Sequence, residues 1–344
     1  MATTNFKDYA IVIHHCDNDG YLSGTLLRLY ANSQGIPDAN IRYFCYTYSN
    51  NDTLEQFIDD MTSQGVLTEN TLILAGDVSI SPASKELFRR IFSATKRKFW
   101  FDHHATSLDL EKEDEFFKNV PGVRSDEWCG AELIFRAFPR EITCGTHENI
   151  MHEVVRFVDD HDRFIHEIDG SREFLSGSML YPESQDPGSL FWIGCLHSWE
   201  YLYDVIGKGE TVSLYKKNDE ERSLSALGFE RELILKSDSG QRKALKVYCI
   251  NRQYNSDIFG DKYYEYPIVC TFTYNGRGWK YSLYSSRKDA CCGKIAQAFS
   301  PAGGGHNGAA GFTRSELIFN KLTVVTPPIK ADLEEFFREF PCSE

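Results

Sequence analysis

The sequence lacks any apolar run long enough to cross a membrane. A transmembrane helix needs about 18 or more consecutive apolar residues, and no stretch of this chain approaches that length. The amino-terminal segment MATTNFKDYAIVI also lacks the basic residues and long apolar core that are typical of a signal peptide. We therefore expect a soluble, cytoplasmic protein with no membrane partner.

Positive charge is also scarce. The 344 residues include 37 Lys and Arg against 50 Asp and Glu, which gives a formal net charge of -13. Proteins that hold long nucleic acids do so through basic faces that displace counterions. The composition therefore argues against a partner that is a long nucleic-acid duplex, and any phosphate on a substrate has to be met by local charge.

The ten cysteines show no regular spacing. None of them forms a CxxC pair, and two of them, Cys291 and Cys292, are adjacent. This distribution predicts neither a disulfide framework nor a zinc knuckle. We expect the compartment to be reducing.

Short apolar segments alternate with helical patterns in the first part of the chain. The strand-like segments are YAIVIHH, IRYFCYTY, TLILAGDV and KRKFWFDHH, and helical patterns such as YLSGTLLRLYANSQ separate them. This βαβαβαβ order predicts an α/β domain with a parallel sheet covered on both faces. Ligands of such sheets bind at the carboxyl ends of the strands.

The rest of the chain predicts a smaller second domain. We expect a first α/β domain over residues 1–175, a helical connecting region over 176–243 and a carboxyl-terminal α/β domain over 244–344. The connecting region contains DEERSLSALGFERELILKS, which we interpret as helical. The last domain contains the strand patterns ALKVYCIN, IVCTFTY and WKYSLYSS and the helical pattern DACCGKIAQAF.

Three of the predicted strands in the first domain end in histidines and aspartates. Because the carboxyl ends of neighbouring parallel strands lie side by side, these clusters can converge on one crevice. Buried acids without a cation are costly, and carboxylate and imidazole ligands without thiolates favour Mn²⁺ or Mg²⁺. The number of ligands suggests two ions. The clusters are His14, His15, Asp17 and Asp19 after the first strand, Asp77 after the third, and Asp102, His103 and His104 after the fourth.

Two of these residues also have a structural interpretation. An aspartate at a strand-to-helix turn is often a helix N-cap, and Asp19 suits that role. Neighbouring side chains on a strand point to opposite faces. We therefore expect His14 to be a packed or hydrogen-bonded histidine.

The motifs, taken in order, resemble those of the DHH phosphoesterase superfamily. HHCDNDGYLSG, LAGD, FDHHAT and FVDDHDRF are similar to its four ordered motifs. AGGGHNGAAGF is similar to the glycine-rich signature of its nucleic-acid-processing branch, which includes the oligoribonucleases known as nanoRNases. The resemblance extends from about residue 10 to residue 312. It implies a DHH domain and a DHH-associated carboxyl-terminal domain, with the active site in the cleft between them.

The resemblance also implies two Mn²⁺ ions, for which Mg²⁺ or Co²⁺ could substitute. Asp77 would bridge the ions, Asp102 would orient the neighbouring histidines, and His104 would face the substrate phosphate. Asp159 and Asp162 are close alternatives to Asp160. The implied ligands are His15, Asp17 and Asp77 for one ion, and Asp19, Asp77, His103 and Asp160 for the other.

Substrate-binding residues are implied in the second domain. Gly304, Gly305 and His306 match the glycine-rich signature and would hold the nucleotide end of the substrate. Consecutive glycines let the backbone approach a phosphate before a helix N-terminus, although they can also form a flexible turn only. Many relatives have an arginine in a SLRS-like strand, where this chain has SLYSS. Arg287 could supply the missing cation, or Tyr284 could stack on a base.

These features predict hydrolysis of a phosphodiester by a metal-bound hydroxide. The predicted substrates are short oligonucleotides or nucleotide diesters, cut to mononucleotides. The alternatives are a cyclic nucleotide or cyclic dinucleotide phosphodiesterase and a non-hydrolytic nucleotide-binding protein. A RecJ-like exonuclease is disfavoured by the lack of a basic groove, and a pyrophosphatase by the GGGH signature. A homodimer is compatible with the resemblance.

Overall fold

The computed structural model describes residues 8–47, 50–143, 147–236, 242–287, 291–300, 303–305, 307–320 and 324–325. The chain divides into two compact units, Met1–Ser213 and Leu214–Glu344. The division lies within the segment that the sequence assigned to a helical connection. In the ranges given above, no helix is both long and apolar enough to cross a membrane.

A four-stranded parallel sheet forms the centre of the first unit, as the βαβ pattern predicted. The strand order is β2-β1-β3-β4, so β1 and β3 are the inner strands. Ala10 pairs with Ile41 on one side and with Leu72 on the other, which places the carboxyl ends of these strands at one edge. The strands are β1 (Ala10–His15), β2 (Ile41–Tyr46), β3 (Leu72–Gly76) and β4 (Lys98–Phe101).

Helices cover both faces of this sheet. Successive residues of a strand pack into the two hydrophobic cores on opposite faces of the sheet. Val12 packs in the core that contains Leu26, whereas Ile11 packs in the core that contains Phe88. The inner strands β1 and β3 are therefore apolar on both faces, and the polar side chains of β1 lie only at its end. The helices are α1 (Asn18–Ser33), α2 (Asn51–Ser63), α3 (Lys85–Ser93), α4 (Ala105–Glu113), α5 (Glu115–Lys118), α6 (Gly130–Ala137), α7 (Pro139–Thr143), α8 (Glu148–Asp162), α9 (Ser171–Ser178), α10 (Leu190–His197) and α11 (Trp199–Leu227).

A seven-stranded mixed sheet forms the second unit. Its strand order is β11-β5-β6-β7-β8-β10-β9, and stacked rings of Tyr281, Phe312 and Phe299 line its core. The elements are β5 (Gly228–Lys236), β6 (Arg242–Ile250), α12 (Lys262–Glu265), β7 (Ile268–Tyr274), β8 (Trp279–Tyr284), α13 (Cys292–Phe299), β9 (Gly304–Gly305), β10 (Ala309–Arg314) and β11 (Val324–Val325). Short 3-10 helices lie at Asp38–Asn40, Pro182–Gln185, Ser256–Phe259 and Ile318–Asn320.

The sequence predicted β6, β7, β8 and α13, but two other predictions in this unit are wrong. Gly228–Lys236 was expected to be helical and is instead β5, which pairs antiparallel with β6 along its whole length. Pairing to a distant strand overrides local helical preference here. Gly304–Gly305 forms a strand that leads into β10 rather than into a helix. A Cβ on Gly303 would lie 2.4 Å from the Ala296 carbonyl oxygen, so this glycine packs closely against α13.

Candidate metal centre

Side chains from three strand ends and two helices come together at the carboxyl edge of the first sheet. They form three groups, and within each group one ligand atom from every residue lies within 4.8 Å of the others. Two groups share Asp77 and two share His103. The groups are His15 with Asp17 and Asp77, Asp77 with His103 and His104, and Asp19 with His103 and Asp162.

His103 lies between three carboxylates. Its Nε2 atom is 3.4 Å from Asp77 Oδ1, 3.4 Å from Asp162 Oδ2 and 3.8 Å from Asp19 Oδ2. These atoms belong to two strand ends, the start of α1 and the end of α8. The fold therefore brings together ligands that are far apart in the sequence.

Asp77 is a buried carboxylate in a strained turn at this edge. Its backbone has a φ of 58°, an uncommon conformation for an aspartate that turns the chain sharply after β3. Both carboxylate oxygens are buried and accept no hydrogen bond from a described residue. Burial, followed by the charge of Asp19, raises the pKa of Asp77 well above its usual range. A cation at this position would compensate for both effects.

The amino-terminal end of α6 binds the carboxylate of Asp19. The backbone N–H groups of Gly130 and Ala131 donate hydrogen bonds to its two carboxylate oxygens, each at 2.7 Å. Burial nevertheless raises the pKa of Asp19, against the lowering effect of His103. A Cβ on Gly130 would lie 2.8 Å from Asp77 Cβ. Sequence analysis missed Gly130, although the glycine in CGAEL at the start of a helical pattern was a signal.

Asp160 does not belong to any of these groups, whereas Asp162, one of the two alternatives left open by the sequence, does. Asp160 Oδ1 accepts hydrogen bonds from the backbone N–H groups of Glu167 at 2.8 Å and Ile168 at 3.2 Å, and the Ser171 hydroxyl donates to Oδ2. Both of its oxygens are therefore occupied by the turn after α8. Asp162 Oδ2 is buried without a hydrogen bond from a described residue, and burial raises the pKa of Asp162 to about 8.

The N-cap of α1 is Asp17, and the expectation that Asp19 has this role is wrong. The Gly20 N–H donates a 2.9 Å hydrogen bond to Asp17 Oδ1. The other oxygen, Oδ2, lies 2.6 Å from His15 Nδ1. Burial favours a higher pKa for Asp17, but the hydrogen bond with His15 contributes to a net lowering. Asp17 therefore combines a capping role with a place in one of the groups.

Asp102 and His104 form a hydrogen-bonded pair. Asp102 is fully buried, and its Oδ1 lies 2.8 Å from His104 Nδ1, which is the contact that an orienting role for Asp102 requires. Burial favours a lower pKa for His104, but the bond to Asp102 outweighs it and the pKa is raised.

His14 lies at the end of β1 and outside the three groups. It is buried, its Nδ1 lies 2.8 Å from the His15 carbonyl oxygen, and burial lowers its pKa to about 4. The expectation of a packed, hydrogen-bonded histidine is confirmed.

A disulfide joins Cys16 to Cys45 next to this centre. Cys16 lies between His15 and Asp17, and its Cα is 5.6 Å from that of Cys45. The irregular cysteine spacing did not predict this bond. The link fastens the end of β1 to β2.

The predicted substrate-binding residues belong to the second unit. Tyr284 is half-buried and packs on the core that includes Phe259, and its hydroxyl donates a 3.3 Å hydrogen bond to the Tyr254 carbonyl. Part of the ring is therefore taken up by the core of its own unit. The Arg287 N–H donates a hydrogen bond to the Ser285 hydroxyl.

The glycine-rich signature contributes two described glycines and one histidine to the predicted site. A Cβ on Gly304 would lie 3.9 Å from Gln297 Nε2, an ordinary contact, and Gly305 has a φ of 141°, which favours glycine. His306 lies outside the described residues. The two glycines form β9 and pair with β10, and of the two only Gly305 is exposed.

The donor set fits divalent cations. It consists of carboxylates and imidazoles without a thiolate, a combination that suits Mn²⁺ and Mg²⁺. The buried carboxylate oxygens of Asp77 and Asp162 accept no hydrogen bond from the described part of the chain, and such oxygens are costly unless a cation or proton satisfies them.

Comparison with known proteins shows similarity in structure alone. No family model and no curated protein matches the chain. The DHH domain of a member of the S1p family of ribosomal proteins matches with a TM-score of 0.56 and 15% identity, over 89% of this chain and 82% of that one. RecJ in complex with Mn²⁺ from Thermus thermophilus matches with a TM-score of 0.52 and 12% identity, over 97% of this chain and 53% of that one.

A third solved structure covers most of both chains. It is the pGpG-specific phosphodiesterase PggH from Vibrio cholerae, with a TM-score of 0.50 and 12% identity over 90% of this chain and 94% of that one. Identities this low show the fold. The chain therefore shares its fold with these three structures.

Proposed function

We propose that the protein is a metal-dependent phosphodiesterase that hydrolyses short oligonucleotides or nucleotide diesters to mononucleotides. The observation that carries this proposal is the set of buried carboxylate oxygens on Asp77 and Asp162 that accept no hydrogen bond from a described residue. They lie beside His103 in a cluster of carboxylates and imidazoles. A protein that only bound a nucleotide would have no need of this arrangement.

Two Mn²⁺ ions would be held by the three groups of ligand atoms. When bound, they would supply positive charge to a phosphate and acidify water at neutral pH. Asp77 belongs to two of the three groups, as His103 does, and its carboxylate would help to hold both ions. The proposed ligands are His15, Asp17 and Asp77 for one ion, and Asp19, Asp77, His103 and Asp162 for the other.

His104 would bind the substrate phosphate. Asp102 fixes its ring through the contact with Nδ1, which leaves Nε2 to hold a proton against a phosphate oxygen. His104 is half-buried, with 33% of its side chain exposed, so a substrate can reach it. Asp102 is fully buried and acts only through His104.

The substrate is proposed to be short because of charge. A net charge of -13 repels a long polyanion, and each phosphate beyond the metal centre adds to the repulsion. The similarity in fold to a phosphodiesterase specific for pGpG is consistent with a small substrate. We therefore expect kcat/KM to fall as a single strand lengthens from about 2 to about 20 nucleotides.

The test compares substrates and metals in one assay. Protein stripped with EDTA should be inactive and should recover best with Mn²⁺. The recovered enzyme should release mononucleotides from a dinucleotide faster than from a pentamer or a 20-mer at fixed ionic strength. Activity in excess chelator would disprove metal dependence. Turnover confined to a cyclic dinucleotide or to pyrophosphate would disprove the substrate class.

A further inference from the structure

An aromatic side chain lies exposed beside the metal centre. Phe164 is two residues beyond Asp162, so the two Cα atoms are at most about 7 Å apart. The exposed fraction of Phe164 is 78%. Its φ is 55°, in the left-handed region that a bulky side chain rarely adopts. Neither feature stabilises the fold, because the ring is not buried and the backbone is strained.

The turn that presents Phe164 is firmly held. The N–H of Phe164 donates to the His161 carbonyl at 3.0 Å, and that of Ile165 donates to the Asp160 carbonyl at 2.9 Å. The side chain of Asp160 then accepts the backbone N–H of Glu167 at 2.8 Å. Asp160 thus fastens the turn from both its main chain and its side chain. A loosely held loop would not need these bonds.

Histidine rings support Phe164 on two sides. His161 lies at a centroid distance of 6.5 Å with an interplanar angle of 20°, and His166 lies at 5.7 Å with an angle of 83°. The rings of the two histidines also contact each other, with their centroids 5.3 Å apart. The Phe164 ring therefore has fixed neighbours and keeps most of its surface open.

We propose that Phe164 is a specificity-determining residue that stacks on a nucleobase of the substrate whose phosphate lies at the metal centre. This inference rests on the proposed function. Base stacking adds affinity without charge, which suits a protein with a net charge of -13. Tyr284, the aromatic residue that the sequence suggested for this role, is instead packed on its own domain core. Asp160 is a positioning residue that holds the turn.

The experiment pairs a protein ring with a substrate base. A dinucleotide is compared with two versions that lack either the 5′ or the 3′ base, and kcat/KM is measured in Mn²⁺ for wild type, Phe164→Ala and Phe164→Trp. Removal of one base should lower kcat/KM of the wild type by about 5- to 150-fold, the scale of a single stacked base. Phe164→Ala should lower kcat/KM for the intact dinucleotide by the same factor. The variant should then hydrolyse the intact dinucleotide and the version that lacks the stacked base with equal kcat/KM. Phe164→Trp should retain the preference.

Two controls separate this role from a structural one. Tyr203→Ala removes another exposed ring, on α11 with 62% of the residue exposed, and should change nothing. Phe164→Gly should keep or raise Tm, because glycine tolerates a φ of 55°, while it loses the base preference. Mn²⁺ binding should be unchanged in all variants.

The outcomes distinguish the two proposals. If wild type and Phe164→Ala both hydrolyse the dinucleotide with metal and show the same base preference, the stacking role is overturned. The proposed function then still stands. The absence of metal-dependent turnover of every diester by wild type overturns the proposed function, and the stacking role with it.

Discussion

The two units of the molecule differ in how they bury polar groups. The buried polar residues described in the second unit are the hydroxyl residues Ser223, Thr271 and Ser285. A single hydrogen bond to a carbonyl satisfies such a group, as between Ser285 and Pro267 at 2.8 Å. The first unit buries acids as well. They are Asp19, Asp77, Asp102, Glu132, Asp159 and Asp160.

The buried acids of the first unit fall into two classes. Glu132 is paired with Arg136 at 2.6 Å, and Asp160 is hydrogen-bonded to the turn after α8. Glu132 Oε2 and Asp102 Oδ2 also accept no hydrogen bond from a described residue, but the other oxygen of each contacts Arg136 or His104. Asp77 accepts no such bond at either oxygen, and neither does Oδ2 of the partly exposed Asp162. Burial alone therefore does not mark the site. The lack of a compensating partner does.

The largest effect is expected for Asp77→Asn. The amide has the same shape but cannot serve both groups of ligand atoms, so activity should fall by at least about 10³-fold. The apo protein should become more stable by about 1–3 kcal/mol, because a buried like charge is removed. Denaturant unfolding with and without Mn²⁺ measures both effects, since the metal should stabilise only the wild type.

A matched control for Asp77→Asn comes from the second unit. Thr271 is buried and donates a 3.2 Å hydrogen bond to the Tyr254 carbonyl. Thr271→Val should therefore destabilise the protein by about 1 kcal/mol, with no effect on metal binding. The opposite result would be an Asp77→Asn protein that is less stable than wild type without metal and is still stabilised by Mn²⁺. It would contradict the stated difference in how the two units bury polar groups.

The second prediction separates Asp162 from Asp160. Asp162→Ala should weaken Mn²⁺ binding by more than the ~10- to 100-fold typical of changes outside the ligand shell and leave the fold intact. Asp160→Ala should lower the free energy of unfolding by about 2–4 kcal/mol, because Ser171 and two backbone N–H groups lose their acceptor. The Asp160→Ala variant should still bind as many Mn²⁺ ions as the wild type. Metal titration and urea unfolding of both variants give the answer, and the reverse pattern would restore Asp160 as the ligand.

The third prediction concerns Gly130. In Gly130→Ala the new Cβ would lie 2.8 Å from Asp77 Cβ and 3.0 Å from its Cα, so α6 or Asp77 must move. We expect a loss of about 1–3 kcal/mol in stability, together with weaker Mn²⁺ binding.

Gly207 provides the matched control for Gly130. It lies within α11, and outside the neighbouring backbone of that helix no atom of a described residue lies within 4 Å of a Cβ placed on it. Gly207→Ala should therefore stabilise the helix by up to about 1 kcal/mol. Equal behaviour of the two variants would show that the close approach to Asp77 does not matter.

The sequence predicted the first sheet because its signals are local. Each strand is a short apolar run such as AIVIHH, and the polar groups after it must lie at one edge of a parallel sheet. Most of the candidate ligands follow from that rule. The choice among Asp159, Asp160 and Asp162 could not be made this way, because it depends on how the turn after α8 folds back on Asp160.

The second unit was predicted less well because its pairings are long-range. β5 becomes a strand through hydrogen bonds to β6, and its own sequence has a helical pattern. The role of Gly130 depends in the same way on a contact with Asp77, 53 positions earlier in the chain. Such contacts leave no periodic signal in the sequence.

The smallest effect is expected for Tyr284→Phe in the second unit. The ring packs on its domain core and only the hydroxyl, 3.3 Å from the Tyr254 carbonyl, is lost. Stability should therefore fall by no more than about 1 kcal/mol, and kcat/KM for a dinucleotide should be unchanged. Thermal unfolding and steady-state kinetics test this together. A several-fold rise in KM at unchanged stability would place the Tyr284 hydroxyl on the substrate.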